Sequence, residues 1–274
     1  MKELKSHRTF SGKTQFWSHL SKETKTEMKF STFIPGEKPR GCIIWLSGLT
    51  CTEENFITKA GAQRFLDAAN LMVIAPDTSP RGLNLPGEHD SYDFGSGAGF
   101  YVDATTDGYK DHYRMYSYIL NELYPMIQND FGVQNISIMG HSMGGHGAMV
   151  LGLRNPDKFK SISAFSPIVN PMECAWGKKA FTGYLGTDKE LWKFYDSCEL
   201  LKMGMTHPYS ILISQGTHDE FLPGQLLTER FVTEAQAAGQ DEEVRYADEF
   251  DHSYYFISTF MQEHILHHKK ALSN

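Results

Sequence analysis

The sequence predicts an α/β protein: a mostly parallel sheet with helices on both faces and an antiparallel strand pair at its N-terminal side. Three observations carry this expectation. From Gly41 onward, short apolar runs alternate with stretches of helical periodicity, the pattern of strands buried on both faces of a parallel sheet. Ahead of them, two segments alternate polar and apolar residues, as half-buried strands do. In the middle, an apolar run feeds directly into a glycine-rich turn around Ser142.

Taken in order, Thr14–Leu20 and Thr24–Ile34 read as the antiparallel pair. Gly41–Leu46 is a short apolar run and reads as a buried strand. A helical stretch from about Ala60 to Asn70 leads into a second buried strand, Leu71–Ala75, which ends at Pro76-Asp77. The apolar positions of Tyr113–Ile127 recur at helical spacing, with Pro125 expected to bend or end that helix. Asn135–Met139 (strand), Met143–Arg154 (helix) and Phe159–Phe165 (strand) follow. The segment 166–205 has weak periodicity and is expected to form an insertion over the active-site edge of the sheet. Tyr209–Ser214, Gly224–Ala238, Glu243–Ala247 and Tyr254–His268 complete the alternation as strand, helix, strand and helix. With no repeats, low-complexity tracts or long linkers, residues 1–274 are expected to form a single domain.

Composition narrows the function. Hydrophobic residues at 41% and charged residues at 22% are ordinary for a globular protein. A net charge of −7 argues against nucleic acid as the main partner. The polar Met1–Arg40 segment has no apolar signal-peptide core, and no apolar run is long enough to span a bilayer. Cys42, Cys51, Cys174 and Cys198 lack metal-type spacing and are expected to stay reduced, with a cytoplasmic location as the default. His264, His267 and His268 fall at helical spacing, but are read as solvated side chains of a terminal helix, and no metal is expected.

The turn Gly140-His141-Ser142-Met143-Gly144 lies between a strand and a helix. G-x-S-x-G in that setting forces the serine onto a tight elbow, and the opening helix aims its first N–H groups at whatever the serine attacks. Ser142 is therefore the candidate nucleophile, on an α/β-hydrolase fold. Such a serine needs a base and an acid, in the chain order serine, acid, histidine. Asp219 follows the strand Tyr209–Ser214, and His252 follows the last strand. Asp251 adjoins His252 too closely in sequence to orient it, and Asp77 precedes the serine; Glu220 remains a competitor of Asp219. His141, His146 and His218 are read as local hydrogen-bonding groups. The backbone N–H groups of Leu49, turned inward after Gly48, and Met143 are the expected oxyanion hole.

Several longer blocks are more specific than the elbow: WLSGLTCTEENF (45–56), VIAPDTSPRG (73–82), DFGSGAGFYVDAT (93–105), RMYSYI (114–119), GHSMGGHGAM (140–149), WGKKAFTGYLGTD (176–188) and DHSYYFI (251–257). On these blocks the chain resembles the S-formylglutathione hydrolase (esterase D) family. That resemblance implies a cytosolic, cofactor-free serine thioesterase of formaldehyde detoxification, commonly a homodimer or other homo-oligomer, which also cleaves small activated esters. It implies the triad Ser142, Asp219 and His252, with Asp219 rather than Glu220, and a Cys51 near the site that is sensitive to thiol reagents. Because a formyl group offers little contact area, affinity is expected to come from glutathione, with Arg81, Trp176, Lys178 and Lys179 as candidate contacts. Tyr92 stands where that family usually has Trp, Ala175 where it often has Pro, and Tyr124-Pro125 lengthens a helix end; none touches the triad. A broad carboxylesterase or an acyltransferase would use the same triad, and a noncatalytic binding module would keep only the scaffold.

Overall fold

The computed structural model describes residues 1–273. Its strands are β1 (Lys2–Thr9), β2 (Gly12–Leu20), β3 (Glu27–Ile34), β4 (Gly41–Leu46), β5 (Leu71–Pro76), β6 (Ile136–His141), β7 (Phe159–Phe165), β8 (Ile211–Gly216) and β9 (Glu242–Ala247). Among the described residues they form one sheet in the order β1-β2-β3-β5-β4-β6-β7-β8-β9. β4 to β9 are mutually parallel, while β1, β2 and β3 join antiparallel at one side. This is an α/β-hydrolase arrangement. The expected antiparallel pair is present as β2 and β3. β1 extends it to three strands and escaped notice because Lys2–Arg8 are exposed on both faces, leaving no apolar alternation to read.

β4, β5 and β6 are fully buried because both faces are covered. Alternate residues divide between two cores, as the period of two requires. Ile43, Trp45, Val73, Met139 and Phe165 pack with Phe256, Met261 and Ile265 of the C-terminal helix. Ile44, Leu46, Ile74, Ile138 and Ile162 pack on the opposite face with Met143, Val150 and Tyr101. Each large apolar side chain so buried stabilises the fold by about 1.5–3 kcal/mol.

The helices depart from expectation in several places, among them the helix expected from Gly224, which starts at Thr228 after a π turn over Leu222–Leu226, and the C-terminal helix, which runs on from His268 to Leu272. Glu53–Lys59 is an additional helix, opened by a capping box in which Thr52 and Asn55 satisfy each other's backbone groups. The next helix is Gln63–Ala69, shorter than the expected Ala60–Asn70. Between Met115 and Asn129 the chain stays helical, but Tyr118–Leu123 winds as a widened π turn directly before Pro125, which lacks an N–H to donate. The insertion is largely helical, including Ala175–Leu185, Lys189–Lys193 and Ser197–Lys202.

The C-terminal helix Tyr254–Leu272 overturns the expectation of solvated histidines. His264 and His268 are fully buried against the sheet. They join a hydrogen-bonded chain across three strands. Ser137 bonds Ser161, Ser161 bonds His268 Nδ1, His268 Nε2 bonds Ser163, Ser163 bonds His264 Nδ1, and His264 Nε2 bonds Ser214, all at 2.8–2.9 Å. A neutral imidazole has one donor and one acceptor, so each ring is satisfied without charge. The chain thereby fixes the helix that starts two residues after His252. Among the described residues no helix is long and apolar enough to cross a membrane.

Candidate active site

The site forms at the carboxyl ends of β4, β6, β8 and β9, the edge on which parallel sheets build sites. Ser142 follows β6 and has φ 58° and ψ −120°, backbone values rare for an L residue. Such strain costs about 1–3 kcal/mol and persists only where the surroundings enforce it. Here Ser142 N–H donates to Phe165 O, and Ser142 O accepts from His146 and Ile168 N–H, all at 3.0–3.2 Å. Glycine permits the tight crossing: a Cβ on Gly144 would lie 2.0 Å from Leu46 O, and one on Gly48 would lie 3.1 Å from the Ser142 Cβ.

Asp219 is buried three residues past β8, and its Oδ2 accepts from His252 Nδ1 at 2.6 Å. Phe221 N–H donates to Asp219 Oδ1 at 3.0 Å and holds the carboxylate. The bond at Nδ1 leaves His252 Nε2 to serve as an acceptor. Ser142 and His252 line the same cavity of about 320 Å³. No hydrogen bond joins Ser142 Oγ to His252 among the described residues, a looseness common in unliganded sites. Leu49 lines the same cavity, and Met143 opens the helix beside it; neither N–H has a loop or turn acceptor.

Trp176 lines the cavity with Phe221, whose ring lies 4.7 Å from it and edge-on to His252 at 5.0 Å. The indole N–H of Trp176 donates to the Tyr92 hydroxyl at 3.1 Å. A tryptophan at 92 has no such acceptor, so Tyr92 changes how this wall is tied together.

The three cationic candidates, Arg81, Lys178 and Lys179, do not line this cavity. Arg81 is bound by Asp77 (2.8 and 3.1 Å), Cys51 O (3.0 Å) and Ser96 (3.3 Å), so it braces the loop beneath Cys51 instead of lining the cavity. Lys179 donates to Asp93 and Ser91. Lys178 sits near Glu173 at 3.8 Å, on a separate surface hollow. Cys51 does line the cavity, but burial pushes its thiol up, which disfavours the thiolate needed for reactivity.

Of the three histidines expected to make local hydrogen bonds, His141 is buried with its Nε2 unpartnered among the described residues. His141 packs against His252 with ring centroids 4.4 Å apart, and burial together with that neighbour holds it neutral, well below the usual imidazole range. His146 Nε2–H donates to Phe100 O at 2.9 Å, as a local hydrogen-bonding role requires, whereas His218 is exposed. Asn55, Lys59 and Tyr254 also line the cavity. The one sequence signal for Asn55 and Lys59 was the T-x-x-N cap that starts their helix.

A family model described as putative esterase matches residues 21–267. The chain is 50% identical to the S-formylglutathione hydrolase of Bos taurus over 279 aligned residues, covering 100% of this chain and 99% of the relative. Identity to the Arabidopsis thaliana S-formylglutathione hydrolase is 46%, covering 99% and 98% respectively. Among solved structures, an S-formylglutathione hydrolase from Agrobacterium tumefaciens superposes with a TM-score of 0.96 at 42% identity, over 99% of this chain and 100% of that one.

Proposed function

The chain belongs to the esterase family that holds the S-formylglutathione hydrolases, and from that premise we propose that it hydrolyses S-formylglutathione to glutathione and formate through a formyl-Ser142 intermediate. The observation that carries this reading is the Asp219–His252 pair at the wall of the cavity that also holds the strained Ser142.

His252 Nε2 takes the Ser142 proton while Asp219 keeps the imidazole in the Nδ1–H tautomer. Ser142 Oγ bonds to the formyl carbon, and the carbonyl oxygen becomes an oxyanion held by Leu49 and Met143 N–H. One such donor is typically worth about 3–4 kcal/mol to the transition state. Collapse breaks the carbon–sulfur bond, and the glutathione sulfur takes the proton from His252. Water then gives its proton to His252, attacks the formyl-serine, and formate leaves as Ser142 is reprotonated. Neutral His141 beside His252 adds no second positive charge to oppose the imidazolium. No step calls for a cofactor.

The cavity of about 320 Å³ and its Trp176–Phe221 wall suit a formyl group with the thiol carrier directed outward. The four free cysteines accord with a reducing, cytoplasmic setting, and the unpaired outer edge of β1 accords with a homodimer. Incubation of the purified chain with S-formylglutathione, followed through loss of thioester absorbance, tests the reaction. Equimolar glutathione and formate are expected; release no faster than in buffer alone would overturn it.

A further inference from the structure

We propose that Lys59, together with Asn55 one turn before it, forms a carboxylate-binding subsite that holds the glutathione part of the substrate; this deepens, and rests on, the thioesterase reading above. Lys59 lines two cavities. The catalytic one adjoins a second of about 660 Å³ bounded by Lys59, Ser253, Tyr254, Tyr255 and Ser258. Lys59, Ser253 and Tyr254 line both, which places Lys59 where the tail of a substrate with its formyl group at Ser142 would leave the catalytic cavity.

The chemistry there is one-sided. Among the described residues lining either cavity there is no carboxylate, and Lys59 is the one lysine or arginine. Arg81 and Lys179 are taken by Asp77 and Asp93, whereas Lys59 has no ion-pair partner among the described residues. Its ammonium instead sits 5.8 Å from the Tyr254 ring centroid, where the aromatic face attracts a cation. Asn55 and Lys59 are four residues apart on one helix and so share a face. The Asn55 Oδ1 accepts from Thr52 N–H at 2.8 Å, which turns its amide N–H group away from the cap and leaves it to donate. An ammonium and an amide donor together suit a carboxylate, of which glutathione has two. A formyl group has nothing for them to hold. The competing role for Lys59 is a charge in the last turn of its helix, which stabilises the helix but makes no substrate contact.

The test compares kcat/KM for S-formylglutathione with that for phenyl acetate in the parent, Lys59→Ala, Lys59→Arg and Lys59→Glu. The thioester-to-ester ratio is expected to fall about ten-fold in Lys59→Ala, through KM, on the scale of one lost charge-assisted contact. It falls further in Lys59→Glu and recovers in Lys59→Arg. A ratio unchanged in both Ala and Glu variants overturns the subsite, and so does an equal loss on both substrates with a lowered melting temperature. If the parent does not hydrolyse the thioester, the functional reading fails by itself. Lys59 is then judged by S-methylglutathione inhibition of phenyl acetate hydrolysis: Lys59→Ala must weaken it, and unaltered inhibition overturns the subsite.

Discussion

Ser142→Ala is expected to lower kcat for S-formylglutathione by about 10⁴–10⁶-fold, the scale on which nucleophile removal acts in triad hydrolases. The fold should be kept. The three backbone hydrogen bonds that hold residue 142 at its positive φ come from main-chain atoms and survive the change. Alanine keeps the same Cβ, so contacts with Gly48 and the adjoining strand ends are undisturbed. The residual rate is that of an oxyanion hole without a nucleophile. The variant is checked by steady-state kinetics beside a thermal melt. A variant with near-parent activity would remove Ser142 from the mechanism, whereas a large fall in melting temperature would mean that its hydroxyl also has a structural role.

Stability is expected to drop steeply as the pH falls below about 6.5. His141, His146, His264 and His268 are buried, and desolvation lowers all four, His146 to about 4. For His264 and His268 no carboxylate stands close enough to restore the charged form; the titratable groups facing them are His267, Arg245 and each other, and all of these disfavour a proton. The sign follows from proton counts. Above the unfolded imidazole value of about 6.5 neither state binds these protons. Below it the unfolded chain takes them up and the folded one does not, so unfolding is favoured by about 1.4 kcal/mol per pH unit for each histidine. The loss continues until the pH reaches the folded values. Asp196, pushed up to about 6 by burial, and Glu53, also raised by burial, act in the opposite sense between their folded and unfolded values, but burial lowers His19 and His267 as well, so the histidines outnumber them. Urea unfolding at pH 7.5, 6.5 and 5.5 measures the slope. A free energy that stays flat over this range would contradict neutral burial of the four rings.

Much of the candidate site's geometry was legible because its order along the chain mirrors the sheet. Each of Ser142, Asp219 and His252 follows a parallel strand, and strand runs show up as apolar blocks. The limits of β4 and β7 and of the helix after Ser142 were read to the residue, since each is bounded by glycine, charged or asparagine punctuation. β1 was not legible, because an edge strand exposed on both faces has no pattern to detect. The buried His264 and His268 were misread because helical spacing does not reveal that serines on three strands wait beneath them. That the cationic candidates lie outside the cavity was hidden for a related reason. Sequence gives the charge of Arg81 and Lys179 but not the carboxylates that occupy them, Asp77 and Asp93. Lys59 was overlooked because its short helix has little apolar periodicity beyond Phe56 and Ile57.

The central claim is that this site acts on the glutathione thioester as its proper substrate and not as one ester among many. The most direct measurement is kcat/KM for S-formylglutathione beside that for phenyl acetate on one preparation of the parent chain. A thioester value at least about 100-fold higher is expected, because contacts to the carrier that persist in the transition state raise kcat/KM for that substrate alone. Equal values, or a preference for the small ester, would contradict the claim and leave a broad carboxylesterase using the same three residues.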